Sequence, residues 1–482
     1  MIAGIDPLVA ILACPLAAAI LLGSLPGSRF AAGLNVAASL ATFALSIVIL
    51  TGERPEPSQY LFIDDLNIVF IVLNTFVGLT TSIFSAGYIG HELTTGRLSP
   101  LRLRFYHGMY QLMMFGMNLA LISSNIGLMW VAVELATLST VVMVGLYLTP
   151  EALEAAWKYF ILGSVGIAFA LFGTILVYLA AQPVVGEGYD AMVIVRLMDR
   201  AAEFDPALLN VAFVFLMLGY GTKVGLAPMH AWLPDAHAEG PTPISAVLSG
   251  LLLNVALYAV LRFKLLMAAN PGSISPGPLM ISLGLLSLIF AAFMLYRRRD
   301  IKRLFAYSSI EHMGIVVFAF GMGGPIANFA GLLHMAMHSL TKSGIFFMVG
   351  LISQIKGTQR IADIRGLTES NPALGWGLLA GVVAIAGLPP FGVFMSEFLI
   401  VTSTFARAPA IAIVFVFGLL IAFGALMLRV SEMAFGEPSP GAATAHASYI
   451  PFIAHLGLVL VAGIFLPGPL VEWFQHVAEI LG

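Results

Sequence analysis

Charge is what this sequence has least of. Only 10% of its 482 residues are Asp, Glu, Lys or Arg, against about 25% in soluble domains, and this excludes a water-soluble globular fold. Cysteine is nearly absent too: Cys14 is the single thiol, so no internal disulfide and no Cys-ligated iron–sulfur cluster can form. Its setting, "ILACPLAAA", faintly matches a lipidation box, but a packed apolar cysteine is the expectation. There is no G-x-G-x-x-G fingerprint and no P-loop, so no dinucleotide or nucleoside-phosphate cradle is expected. Without a basic domain, nucleic acid is excluded as a partner.

What is present is apolar. Hydrophobic residues make up 60% of the chain and the mean hydropathy is +0.98. Runs of about 20 apolar residues, the length needed to cross a bilayer, recur from 4–23 to 450–470. They number about fourteen and predict an all-α polytopic membrane protein. The first run has no basic n-region, so it is expected to be a retained span and not a cleaved signal. Loops on one side carry Arg29, Arg97, Arg102, Arg104, Arg297, Arg298, Arg299, Lys302, Arg303, Lys356, Arg360 and Arg365, against Arg54, Arg196, Arg200, Arg262, Lys264 and Arg407 on the other. The positive-inside rule makes the richer side cytoplasmic and places both termini outside.

Several ionisable residues survive inside the apolar runs. Lys158, Lys223 and Lys342 do so, with Glu134, Glu311, His312, His334, His338, Glu397, and the pair Arg429 and Glu432 nearer a span end. A charge at the bilayer centre costs about 3 kcal/mol on insertion scales. Each is therefore either a structural ion pair, a snorkelling end residue, or a working group. Glu134, in "LMWVAVELATLSTVVMVG" beside Thr137 and Ser139, needs a cation or donors, and Lys223 is the expected partner. Attraction keeps such a lysine protonated; separation lowers its pKa and frees the proton. In "GLLHMAMHSLTKSGIFFMVG", the spacing of His334, His338 and Lys342 stacks all three on one helix face. Such a row can relay protons or satisfy hydrogen bonds. Two histidines at i, i+4 also suit a metal, but no neighbouring carboxylate or cysteine completes a site in sequence.

"GLAPMHAWLPD" and "GLPPFGVFMSE" both read G-L-x-P followed by six residues and an acid. Each follows an apolar half-span, which suggests two related units of about five helices, each with a proline-broken helix. The expected division is 1–106 for three N-terminal helices, 107–266 and 277–435 for the two units, and 436–482 for a C-terminal transmembrane helix. Lys223 precedes the first break and Glu397 follows the second.

"WVAVELATLST", "AAWKYFILGSVGIAFALFG", "TKVGLAPMHAWLPDAHAEGPTPISAVLSG", "RRRDIKRLFAYSSIEHMG" and "GLPPFGVFMSEF" resemble the antiporter-like membrane subunits of the complex I superfamily. The "DIKRLFAYSSIEHMG" segment leans toward the homologue of membrane-bound [NiFe]-hydrogenase and formate hydrogenlyase-type complexes. The resemblance implies fourteen helices, two inverted five-helix repeats with broken seventh and twelfth helices, and a central line of groups that carries protons. It implies that Glu134 is the fifth-helix glutamate, Lys223 the gating lysine, His334 and His338 the eleventh-helix histidines with Lys342 one turn on, and Glu397 the twelfth-helix group nearest the outer side. Asn254 stands where many relatives place a lysine and can only hydrogen-bond or hold water. Glu311 and His312 either replace that titrating site or form a structural pair near the cytoplasmic end. His230 and His237, in the loop after the seventh helix, either admit protons or satisfy carbonyls. Lys158 either couples to a neighbouring subunit or is structural.

The function expected is a proton-translocating subunit in a bacterial cytoplasmic membrane, without a cofactor or metal of its own. It would partner other membrane subunits, including further antiporter-like ones, and a redox arm whose metal centres lie in separate chains. The alternative is a subunit of a multi-subunit Na+/H+ antiporter; a structural anchor or a membrane enzyme fits less well, the latter for want of a nucleophile–base constellation.

Overall fold

A computed structural model describes residues 6–24, 28–438 and 447–482. Residues 1–5, 25–27 and 439–446, and the side chain of Arg29 from the loop count, lie outside the described residues. Of the described residues, 82% are helical. Its helices are α1 (Pro7–Ser24), α2 (Ser28–Thr51), α3 (Asp65–Thr94), α4 (Pro100–Ile122), α5 (Ile126–Val144), α6 (Pro150–Val185), α7 (Ile194–Arg200), α8 (Pro206–Val224), α9 (Trp232–Glu239) and α10 (Thr242–Val247). A π-helical turn, Leu248–Leu252, leads into α11 (Leu253–Ala268). There follow α12 (Gly277–Leu295), α13 (Ile301–Met322), α14 (Pro325–Lys356), α15 (Leu367–Ser370), α16 (Pro372–Ile385), α17 (Gly392–Arg407), α18 (Pro409–Ala434), α19 (Ile450–Ile464) and α20 (Gly468–Ile480).

Among the described residues, eleven helices are long and apolar enough to cross a membrane, twelve if the bent pair α19 and α20 is one span. The pair turns by 81°, so the C-terminal segment is two helices and not the single one expected from 450–470. The expected run 374–402 is likewise divided, into α16 and α17, around the proline pair Pro389 and Pro390.

Burial sorts these helices into an inner and an outer set. The apolar windows of Thr242–Ala268, Ile301–Met322 and Pro325–Lys356 are 100%, 94% and 94% buried, against 28% for α1, 39% for α6 and 33% for α18. The outer helices turn apolar side chains such as Trp157, Ile161 and Phe417 outward, as lipid requires. The inner helices carry the polar exceptions, His312, His334, His338, Lys342 and Asn254, all buried. Close packing of α12 on α13 depends on glycine: a Cβ on Gly284 or Gly314 would stand 2.7 Å from the opposing carbonyl.

Helices α8 and α16 end alike. Gly225 (φ +83°) and Gly387 (φ +68°) adopt the left-handed conformation. The Leu226 N–H bonds the Gly221 carbonyl at 3.0 Å, and the Leu388 N–H bonds the Val383 carbonyl at 3.3 Å. Both are the six-to-one closure that glycine permits at a helix C-terminus, and both are followed by a cis X–Pro bond, Ala227–Pro228 and Pro389–Pro390.

Not every cation counted in a loop lies in one. Arg262, Lys264 and Lys302 are buried on helices. Lys302 donates to the Ala238 and Gly240 carbonyls at 3.2 and 2.7 Å. Arg262 grips Asp64 with two bonds of 2.6 Å while Asp64 caps α3 through the Asn67 N–H at 2.8 Å. Burial pushes the Asp64 carboxyl up, but the Arg262 guanidinium outweighs it and holds the group below its ordinary value. The pair's contribution is therefore full above the unfolded value of about 3.9 and is lost as pH falls through the lower folded value. Asn caps as well as Asp, so Asp64→Asn isolates the ion pair. It is expected to cost about 1–3 kcal/mol at neutral pH and to remove part of the acid sensitivity of thermal unfolding.

Candidate functional site

The last turn of α8 carries Lys223, only 1% exposed. Its Nζ donates to Glu134 Oε2 on α5 at 2.9 Å and to Thr137 Oγ1, one turn further along, at 3.1 Å. The Thr137 hydroxyl donates to the Val133 carbonyl at 2.9 Å, which leaves its oxygen free to accept from the lysine. Two further features favour the ammonium: the C-terminal end of α8 carries the negative pole of the helix dipole, and α6 presents glycine where the head group lies. A Cβ on Gly163 would stand 3.1 Å from Nζ. The break itself is pinned by Trp232, whose indole N–H donates to the Thr222 carbonyl at 2.9 Å and whose ring stacks on Tyr159 at 4.3 Å. The partner expected for Glu134 is the one present.

Asn254 and the hydroxyls bonded around it carry no charge. Asn254 donates to Ser339 Oγ on α14 at 2.6 Å and to the Gly250 carbonyl at 3.0 Å, across the π-helical turn. Its Oδ1 has no protein partner. Ser249 and Ser309 share a 2.7 Å bond. Lys342, two turns beyond His334 and one beyond His338, donates to the Phe305 carbonyl at 3.1 Å and lies over that ring at 5.6 Å.

The third cluster joins three helices. His312 Nδ1 on α13 lies 3.0 Å from His334 Nε2 on α14, and His334 Nδ1 lies 2.9 Å from Ser396 Oγ on α17. The His338 ring centre is 5.4 Å from that of His312; both His338 nitrogens, and Glu311 Oε2, are buried without a hydrogen-bond partner. His312 thus belongs to the histidine row and not to a separate pair at the cytoplasmic end. Sequence spacing paired His334 with His338 and found no carboxylate. The structure instead brings Glu397 close, its carboxylate lying within 4.8 Å of ligating atoms of His312 and His334. Periodicity reports only on its own helix, and Glu397 arrives from α17. Glu397 Oε2 sits where a Cβ on Gly387 would be, 2.0 Å away. With Glu311, Leu388, Phe394 and Phe423 it lines a mainly apolar cavity of ≈ 400 Å³.

Other candidates lie elsewhere. The Lys158 side chain, expected inside a span, is 46% exposed and pairs with Glu154 at 2.6 Å and Asp235 at 3.1 Å. Asp235 also holds Arg303 at 3.1 Å. His237 rides on α9 and not in a loop, stacked 5.0 Å from Phe346 with both nitrogens unpartnered. His230 packs 4.7 Å from Phe290. Arg429 and Glu432 form an ion pair of 2.9 Å. Ser339 and Ser396 escaped the sequence reading because serine carries no signal in an apolar helix, and so did His455, fully satisfied by Thr80 and the Leu340 carbonyl at 2.7 and 2.8 Å.

A bundle of membrane-spanning helices that buries ionisable and hydroxyl groups beside two broken helices is, in class, a polytopic membrane subunit. Residues 123–422 match the family described as NADH:quinone oxidoreductase/Mrp antiporter, TM, and the chain belongs to that family. It is 59% identical to the "Hydrogenase-4 component F homolog" of Methylacidiphilum infernorum, over 98% of this chain and 99% of that protein. Its fold matches a chain of the membrane-bound sulfane sulfur reductase, an archaeal respiratory membrane complex, with a TM-score of 0.87 at 23% identity over 98% and 97% of the two chains. It also matches a chain of the Mrp complex from Dietzia sp. DQ12-45-1b, with a TM-score of 0.82 at 17% identity over 98% and 97%. At these identities the two structures attest the fold alone.

The two glycines predict graded effects. Gly163→Ala meets the flexible end of a lysine and should shift the ion pair by tenths of an ångström with little loss of stability. Gly387→Ala adds a left-handed backbone conformation to a carboxylate overlap and should cost about 1–3 kcal/mol or more. Thermal unfolding of the two variants, measured side by side, checks the order.

Proposed function

We propose that the chain is a proton-translocating subunit of a redox-driven membrane complex, with no redox centre of its own. The observation that carries this reading is the 2.9 Å Lys223–Glu134 pair, its lysine buried and placed at a helix break. The file that continues through Asn254, Ser339, Lys342, His338, His312, His334 and Glu397 gives the proton somewhere to go. Opening the pair removes the charge that holds the lysine protonated in an apolar setting. The released proton passes by hydroxyls, imidazoles and water to Glu397, which faces the cavity. Moving one charge against 100 mV costs about 2.3 kcal/mol, within reach of a redox partner. The similarity to a hydrogenase-4 component F homologue supports partners that include other membrane subunits and a redox arm in separate chains.

The matched helix ends at Gly225 and Gly387 support two inverted units, 107–266 and 277–435, after an N-terminal segment 1–106 and before 436–482. Counting α4, the interrupted α16–α17 and the bent α19–α20 with the eleven clear spans brings the number to fourteen. The distribution of loop cations supports a bacterial cytoplasmic membrane with both termini outside. His230 and His237, both buried, are the cytoplasmic entry candidates. Lys158, tied to Asp235 and through it to Arg303, is a structural or coupling residue at the surface. The likeness to the Mrp chain favours a second reading, a subunit of a Na+/H+ antiporter in which no electrons flow.

Lys223→Met in an assembled complex is expected to lower proton pumping in inverted vesicles at least tenfold, with electron transfer slowed or uncoupled. Undiminished pumping would sink the relay. Pumping that requires sodium and no electron donor would select the second reading.

A further inference from the structure

Among the described residues, His312, His334 and Glu397 are the one group of three His, Cys or carboxylate side chains whose ligating atoms approach within 4.8 Å of one another. We propose that they form a binding site for a divalent transition-metal ion of the zinc type, and that such an ion blocks the relay.

The donor set is two imidazole nitrogens and one carboxylate oxygen, a combination that suits zinc with a fourth position left open. Bonds of about 2.0 Å in tetrahedral geometry put ligand atoms about 3.3 Å apart. His312 Nδ1 and His334 Nε2 already stand 3.0 Å apart, and the carboxylate needs to close by only part of its remaining distance. Glu397 sits on the rotatable end of its side chain at the edge of the ≈ 400 Å³ cavity, so it is the ligand able to move.

The hydrogen bonds around the site fix which lone pairs are offered. Ser396 Oγ donates to the Val393 carbonyl at 2.8 Å, so toward His334 it accepts, and His334 Nδ1 carries the hydrogen. That leaves the His334 Nε2 lone pair directed at His312, and the His312 Nδ1–H supplies the bond between the rings. His312 Nε2 is then a buried lone pair without a partner. When a metal binds, His312 shifts its hydrogen from Nδ1 to the vacant Nε2 and presents Nδ1 to the ion. No net proton leaves either imidazole; only a protonated Glu397 would release one. Ser396 supplies what ligating histidines characteristically have, an outer hydrogen bond that sets ring orientation and tautomer. It is a positioning residue in this account.

The site stands on geometry, but its consequence rests on the proton relay proposed above, because metal and proton compete for the same lone pairs. Zinc chloride titrated into the intact chain, purified with the subunits that accompany it, is the direct experiment, with magnesium as the hard-cation control. Expected are one saturable zinc ion per chain, absent with magnesium, and X-ray absorption showing nitrogen and oxygen ligands at about 2.0–2.1 Å. Ser396→Ala should weaken zinc about 10-fold to 100-fold with the fold intact, and His312→Ala should remove it; if His312→Ala does not assemble, His312→Gln keeps the volume without the imidazole. Zinc should also arrest proton movement in vesicles over the same concentration range. Absence of saturable zinc, or zinc bound equally well by the His312 and Ser396 variants, overturns the site. Zinc bound as described while protons still flow confirms the site and overturns the relay through His334 and Glu397.

Discussion

The organisation of this protein depends on finding partners for charge inside an apolar bundle. An ammonium taken from water into such surroundings is tolerated only when donors and acceptors are arranged around it. For Lys223 that arrangement draws on four helices. Helix α8 ends at Gly225 and turns its negative pole toward the lysine, α5 supplies Glu134 and Thr137, α6 withdraws its side chain at Gly163, and α9 closes the break through Trp232. The break in the helix is therefore part of the electrostatic solution as well as of the topology. The same logic recurs at the other end, where Glu397 occupies the space that Gly387 leaves empty.

Much of this was legible in the sequence. Hydropathy alone defined a polytopic helical bundle, and the scarcity of charge made each intramembrane Lys, Glu or His conspicuous. The partnership of Glu134 with Lys223 followed from the need to neutralise two isolated charges. The twin G-L-x-P segments do end their helices in the same way. What the sequence could not supply was contact between helices. Helical periodicity grouped His334, His338 and Lys342 correctly as neighbours on one face, but it was blind to His312 and Ser396, which reach His334 from α13 and α17. It also misjudged ends. Lys158 looked embedded because its flanks are apolar, yet its head group reaches Asp235 at the surface. Lys302 looked like a loop residue because it follows three arginines, yet it is buried against the carbonyls that end α9.

Hydroxyl side chains have a larger part than their hydropathy suggests. Thr137, Ser339 and Ser396 each use their hydrogen on a carbonyl of their own helix and turn a lone pair toward a functional neighbour. This lets a helix keep its backbone bonds while presenting an acceptor at a chosen point, at small cost in an apolar segment. It also assigns direction to several hydrogen bonds that the histidines alone would leave undetermined.

The neutral centre around Asn254 has a final consequence. In the proposed relay the Asn254 amide cannot itself take up a proton, so it, Ser339 and any water they hold store no charge that would favour one side. On that proposal, the stretch through Asn254 can let a proton pass but cannot set its direction. Direction must then be imposed where a titratable group can hold the charge, at Lys223 and Glu397 and, between them, at Lys342 and the histidines.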